Sequence, residues 1–205
     1  MDGTLTVPNL DFGEMYRQFG VDRGDDILEV LQTYSPERRQ ECFDIIQDME
    51  RVACETMELI PYCQQTLRTL HHQEDCKAAI CTRNTPMSVE YLLKVLGDDH
   101  AFDEIVTRDS EFPAKPHPAA MKYILNQWKL TDTPSSVCMV GDSLENDVVF
   151  GKAAGVTTVL LDSERNYDAS DFVRFKTTPD IHITCMSELP ERLAERFELP
   201  SITRK

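Results

Sequence analysis

The sequence predicts an α/β fold: a Rossmann-like parallel sheet with helices on both faces and a small helical insertion near the N-terminus. Three observations carry this. After residue 72, short apolar runs alternate with helix-length stretches, the pattern of parallel strands buried on both faces. Between residues 9 and 72, helical periodicity runs with almost no strand signal. Breakers and caps such as Gly20, Ser35-Pro36 and Pro61 fall where the periodic segments start or stop.

The elements follow in chain order. Residues 9–19 form a first helix, stopped at Gly20, and residues 25–31 a short second one. A long helix spans 36–57, with Ser35 as N-cap and Pro36 at its first position. Pro61 interrupts the pattern, which resumes over 62–72. Strands are expected at 77–81, 104–107, 136–140, 156–161 and 181–184. Helices are expected at 86–96, 118–128, 144–154 and 186–197. The polar run 166–180 reads as a loop.

The 205 residues suffice for one domain with a modest insertion, and 41% hydrophobic with 28% charged residues is ordinary globular composition. The net charge of −15, from 36 acidic and 21 basic residues, argues against a nucleic-acid backbone or an anionic membrane as a partner. No apolar run reaches the roughly 18 residues of a membrane span, and no secretory leader is visible. Seven cysteines, odd in number and without a C-x-x-C pair, point to free thiols in a reducing, cytoplasmic setting.

In open α/β sheets ligands bind at the carboxyl ends of the strands, so the residues just after each strand are the candidates. Thr82-Arg83 follows the first strand and leads into a helix begun by Pro86, a hydroxyl and backbone amides suited to an anion. Taken singly, Thr82 reads as a cap and Arg83 as a surface charge. Lys115 sits between Pro113 and Pro116 on a stiff backbone, suited to a fixed cation but also to a solvated loop. His117 reads as a helix-start residue. After the strand ending at Val140, Gly141 allows a tight turn to Asp142, and Asp147 follows one helical turn later. Two carboxylates able to converge suit a hard cation such as Mg²⁺, although Asp142 also reads as an N-cap.

Together with the opening Met1-Asp2-Gly3-Thr4-Leu5-Thr6, these residues resemble the four motifs of haloacid dehalogenase-like phosphohydrolases. The opening is similar to the tail of D-x-D-G-T-[LV]-T, Thr82 to the second motif, Lys115 to the third, and Asp142 with Asp147 to the fourth. Order and spacing match from residue 1 to about residue 190.

The resemblance implies a Mg²⁺-dependent phosphatase of a small phosphorylated metabolite, working through an aspartyl-phosphate. Asp2 is then the general acid/base, and its main-chain carbonyl faces the metal held by Asp142 and Asp147. Thr82, Arg83 and Lys115 hold the phosphoryl group. Residues 1–7 and 73–205 form the core domain. Residues 8–72 resemble the small helical cap of the phosphoglycolate-phosphatase-like subgroup, with hinges near Val7-Pro8 and Ile60-Pro61. In that cap Arg17, Arg23, Arg38, Arg39 and Arg51 are candidates for gripping an anionic substrate.

Met1 stands where the residue between the family's two aspartates belongs, so the nucleophile has no counterpart here. The expectation is a chain that starts inside its first motif and lacks the central strand, leaving the strands that end at Cys81 and Val140 with unpaired inner edges and impairing activity. A catalytically inactive binding module and a phosphosugar mutase are the alternative functions.

Overall fold

The computed structural model describes residues 1–25, 27–73, 76–97 and 102–197. They form two compact units, one of Pro8–Met57 and one of Met1–Val7 with the chain from Glu58 onward.

The unit Pro8–Met57 is helical. Helix α1 (Phe12–Phe19) is capped by the Asp11 side chain, which accepts from Glu14 N, and ends at Gly20 with φ of 72°. Positive φ suits glycine, so the chain turns there without steric cost. Helix α2 is Ile27–Leu31. In α3 (Pro36–Glu55), Ser35 accepts from Arg38 N, as the Ser-Pro signal requires. Met15, Phe19, Val21, Leu31 and Cys42 form this unit's own core.

The second unit carries the sheets. Its α4 (Cys63–His71) was expected in the insertion, which the sequence extends to residue 72. The compact helical unit instead ends at Met57, because α4 is tied to the sheet unit: Thr66 Oγ1 donates to Met186 O at 3.1 Å, and Leu70 packs into the core there. The connection leaves after Val7 and returns at Glu58, where Val7 N donates to Glu58 O at 2.9 Å and Ile60 N to Leu5 O at 3.0 Å.

Five short strands follow, all in parallel pairs. β1 (Ala79–Cys81) pairs with β2 (Glu104–Val106), Ile80 opposite Ile105. β3 (Cys138–Gly141), β4 (Thr157–Leu161) and β5 (Ile181–Ile183) form a second sheet with β4 in the middle. Every residue of β4 is buried, as a strand covered on both faces demands. Among the described residues no ladder joins β1 to β3, so the parallel strands stand as two sheets, not one.

Helices cover both sheets: α5 (Pro86–Leu96), α6 (Ala119–Gln127), α7 (Val149–Ala154), α8 (Ala169–Arg174) and α9 (Leu189–Arg196). One core gathers Val106, Ala120, Met121, Ile124, Met139 and Phe150, with Ala79 and Cys81 against it, and so spans both sheets. Another lies on β4 and β5, with Val159, Leu161, Ile181, Ile183 and Leu193.

Two local expectations are corrected. The polar run 166–180 contains α8, begun by a capping box in which Asp168 and Asp171 each accept from the other's backbone region. Its aromatic residues Phe172 and Phe175 pack on Leu144, Val148 and Leu160, an anchor that polarity alone conceals. The helix expected at 144–154 opens as a π-helical turn, Leu144–Val148, with Val148 N reaching back to Ser143 O at 3.2 Å. Among the described residues no helix is long and apolar enough to cross a membrane.

Candidate active site

The residues expected to carry chemistry stand past the carboxyl ends of β1 and β3, on the segment between β2 and α6, and on the loop before Val7. The loop closes on itself: Gly3 N donates to Thr6 O at 2.8 Å and Leu5 N to Met1 O at 2.7 Å. Gly3 has φ of 73°, and a Cβ there would stand 2.3 Å from Asp142 Oδ2. Only glycine lets the loop and that carboxylate come so close.

Asp2 presents both oxygens to donors. Thr6 Oγ1 donates to Oδ1 at 2.9 Å and Asn84 Nδ2 to Oδ2 at 3.0 Å. Thr82, buried just past β1, continues its ladder, Thr82 N donating to Val106 O at 2.9 Å. Its hydroxyl oxygen accepts from Asn84 N at 3.1 Å, an arrangement that orders the turn into α5. Arg83 is exposed beside it.

Lys115, next to a cis Lys115–Pro116 peptide, crosses to both sheets. Its Nζ donates to Cys81 O at 3.2 Å and to Asp147 Oδ1 at 2.6 Å, with both side chains about nine-tenths buried. Asp147 lies in the π-helical turn, where Oδ2 accepts from Ser143 N at 3.1 Å. Such turns recur where a helix must aim a functional side chain. Gly141 makes room for it, since a Cβ there would stand 2.2 Å from Asp147 Oδ2.

Asp142 accepts from Thr4 Oγ1 at 2.8 Å. Burial pushes its carboxyl above the usual range; Thr4's hydrogen bond pulls it back, and the negative charge of Asp147 adds to the rise. Two partly desolvated carboxylates close enough to sense one another's charge are oxygen donors of the kind a hard cation takes, and Mg²⁺ is commonly held by one or two carboxylates with water completing its shell. The side chain of Asp2 is turned elsewhere, to Thr6 and Asn84. Accordingly, no group of three or more His, Cys, Asp or Glu among the described residues is placed to hold a metal ion.

The predicted residues are thus each held by a polar partner: Asn84 joins Thr82 to Asp2, Thr4 binds Asp142, and Lys115 binds Asp147, which also accepts from Ser143 N. Sequence reasoning assigned no role to Asn84, Thr4 or Ser143, which supply these contacts. Asn84 lies two residues past Thr82 on the same strand-end turn, the one local signal that could have found it. In Pro8–Met57, four of the five arginines are committed to near neighbours. Arg39 donates to the carbonyls of Leu31, Gln32 and Tyr34. Arg38 binds Glu41 and Gln18 O, Arg51 binds Asp48 and Glu55, and Arg17 pairs with Glu14. Arg23 is exposed. All seven cysteines are free thiols.

Residues 5–161 match the family model described as haloacid dehalogenase-like hydrolase. A haloacid dehalogenase-like hydrolase domain-containing protein of Arabidopsis thaliana is 31% identical over 97% of this chain and 83% of its own length. The phosphoglycolate phosphatase of Mannheimia succiniciproducens is 34% identical over 56% of this chain, which spans only about half (50%) of that relative's length. Among solved structures, a predicted phosphoglycolate phosphatase from Haemophilus somnus 129pt superposes with a TM-score of 0.73 at 20% identity, covering 94% of this chain and 95% of that one. At that identity the likeness speaks for the fold.

Proposed function

The chain belongs to the haloacid dehalogenase-like hydrolase family, and from that premise we propose that it serves as a Mg²⁺-dependent phosphatase of a small phosphorylated metabolite. The observation that carries this reading is the placement of Lys115 Nζ, 2.6 Å from Asp147 and 3.2 Å from Cys81 O, one residue before Thr82. A buried cation held between the residue before Thr82 and a carboxylate supports the reading, because a dianionic phosphoryl group needs fixed positive charge beside it.

In this proposal Thr82 and Lys115 hold phosphoryl oxygens, and Arg83 adds charge at the mouth. Lys115 also offsets the negative charge of Asp147. Asp2 protonates the leaving oxygen and then takes a proton from the attacking water. Asp142 and Asp147, with the main-chain carbonyl of Asp2, would hold Mg²⁺, which would supply charge neutralisation for the transferred group. The setting proposed is the cytoplasm, which keeps seven thiols reduced.

The aspartyl-phosphate route takes a nucleophilic carboxylate two positions before Asp2, a place outside the 205 residues. We therefore expect the 205-residue chain to hydrolyse an aryl phosphate slowly. Appending an apolar strand that ends in Asp directly before Met1 is expected to raise Mg²⁺-dependent kcat by about 1000-fold or more. Ordinary turnover by the unextended chain would overturn the covalent route. No gain on extension would favour a non-catalytic ligand-binding module.

A further inference from the structure

The loop that carries Asp2 is held to the two sheets by side chains, and among the described residues no ladder joins it to either. On one side Thr4 Oγ1 donates to Asp142, just past β3, at 2.8 Å. On the other, Asn84 Nδ2 donates to Asp2 Oδ2 at 3.0 Å from the turn after β1. Thr6, which holds the other oxygen of Asp2, moves with the loop itself and gives no reference to either sheet.

Asn84 is itself fixed. Its amide N donates to Thr82 Oγ1 at 3.1 Å, and its carbonyl accepts from Arg108 N at 2.9 Å. Its Nδ2 also lies 3.8 Å from Met1 Sδ, so the side chain is enclosed by the loop it holds. An ionised carboxylate only accepts hydrogen bonds, so the NH₂ end of the amide faces Asp2. Each carboxylate oxygen keeps a second lone pair, so the contact orients Asp2 without consuming it.

We propose that Asn84 is a positioning residue, whose amide fixes the carboxylate of Asp2 relative to Thr82. The span from the phosphate-holding hydroxyl to the acid/base is then set by two consecutive hydrogen bonds within one turn. This inference rests on the proposed role of Asp2. The part it adds is that the direction of Asp2 comes from the β1 side, across the line where β1 and β3 are not paired.

A charge swap tests it. Asn84→Asp keeps the shape but removes the donor and sets a second carboxylate against Asp2, whereas Asn84→Ala only empties the site. A donor role makes N84D the more damaging of the two in Tm; a space-filling role makes N84D the milder. In the D2N/N84D double variant the new Asn at position 2 can donate to the new Asp at 84, and most of the Tm lost in N84D is expected to return. An N84D chain as stable as the parent, or a swap that recovers nothing, overturns the inference.

Kinetics separates Asn84 from Asp2. In the chain extended by an apolar strand ending in Asp, N84A is expected to lower kcat for an aryl phosphate about tenfold, with KM and inhibition by inorganic phosphate within about twofold. D2N is expected to lower kcat by about 100-fold or more in the same assay. Loss of turnover in D2N with kcat intact in N84A refutes the positioning role alone. Unchanged turnover in D2N refutes the role of Asp2 on which it rests.

Discussion

Two lysine–aspartate pairs in the sheet unit share the same 2.6 Å contact and differ in almost everything else. Lys115–Asp147 stands at the carboxyl ends of the strands with side chains 10% and 7% exposed. Lys152–Asp180 stands near the start of β4 with side chains 38% and 31% exposed. Asp180 is also held by the amide and hydroxyl of Thr158, each at 2.8 Å, which ties β4 to the approach to β5. Burial alone would raise its carboxyl, but the hydrogen bonds from Lys152 and Thr158 outweigh it and leave the group below its ordinary range. Distance is therefore no guide to what an ion pair does. The exposed pair is screened and locally satisfied, while the buried pair is a charge the fold must keep compensated.

Breaking the buried pair should show this most strongly. Lys115→Met leaves Asp147 buried without its ion-pair partner, and is expected to cost about 3 kcal/mol in urea unfolding as well as phosphate turnover. Equal losses for Lys115→Met and Lys152→Met would erase the distinction between the two pairs. Next comes the backbone beneath Asp147. Gly141→Ala drives a methyl into that carboxylate, for an expected loss of about 2 kcal/mol, read as a fall in Tm with the aspartate still present.

A smaller effect is expected at the exposed pair. Asp180→Asn should cost about 1 kcal/mol at neutral pH, mainly from weakened hydrogen bonds at a screened site. Because the folded state holds Asp180 below its unfolded value, this stability is present above about pH 4 and is lost as pH falls through the folded value. The Tm gap between Asp180→Asn and the parent should therefore narrow in acid, and a gap that widens contradicts the assignment. Smallest of all, Lys152→Met is expected to cost under about 1 kcal/mol, diminishing further in 1 M salt.

The same contrast separates what was legible in the sequence from what was not. Lys115 between prolines and Asp147 after Gly141-Asp142 were readable as candidates because their spacing from strand ends is local. Lys152 and Asp180 gave no such signal, since one lies on a regular helix and the other in a polar run. Within that run α8 was missed, because its capping box sits among residues equally at home in a loop. The place of α4 was hidden for a related reason: it has the same helical periodicity as its predecessors, and only Thr66 and Leu70 reveal which core it joins.

By itself, the sequence determined the parallel α/β class, the caps at Ser35 and Gly20, and the strand-end residues Thr82, Lys115, Asp142 and Asp147. These follow from periodicity, backbone preference and covalent neighbours, which act over a few residues. Tertiary structure alone decided the partners. Asp2 is oriented by Asn84, 82 residues away, and Asp142 by Thr4, 138 residues away. Such choices depend on which surfaces fold together and which buried donors then lack an acceptor, and no local pattern encodes that.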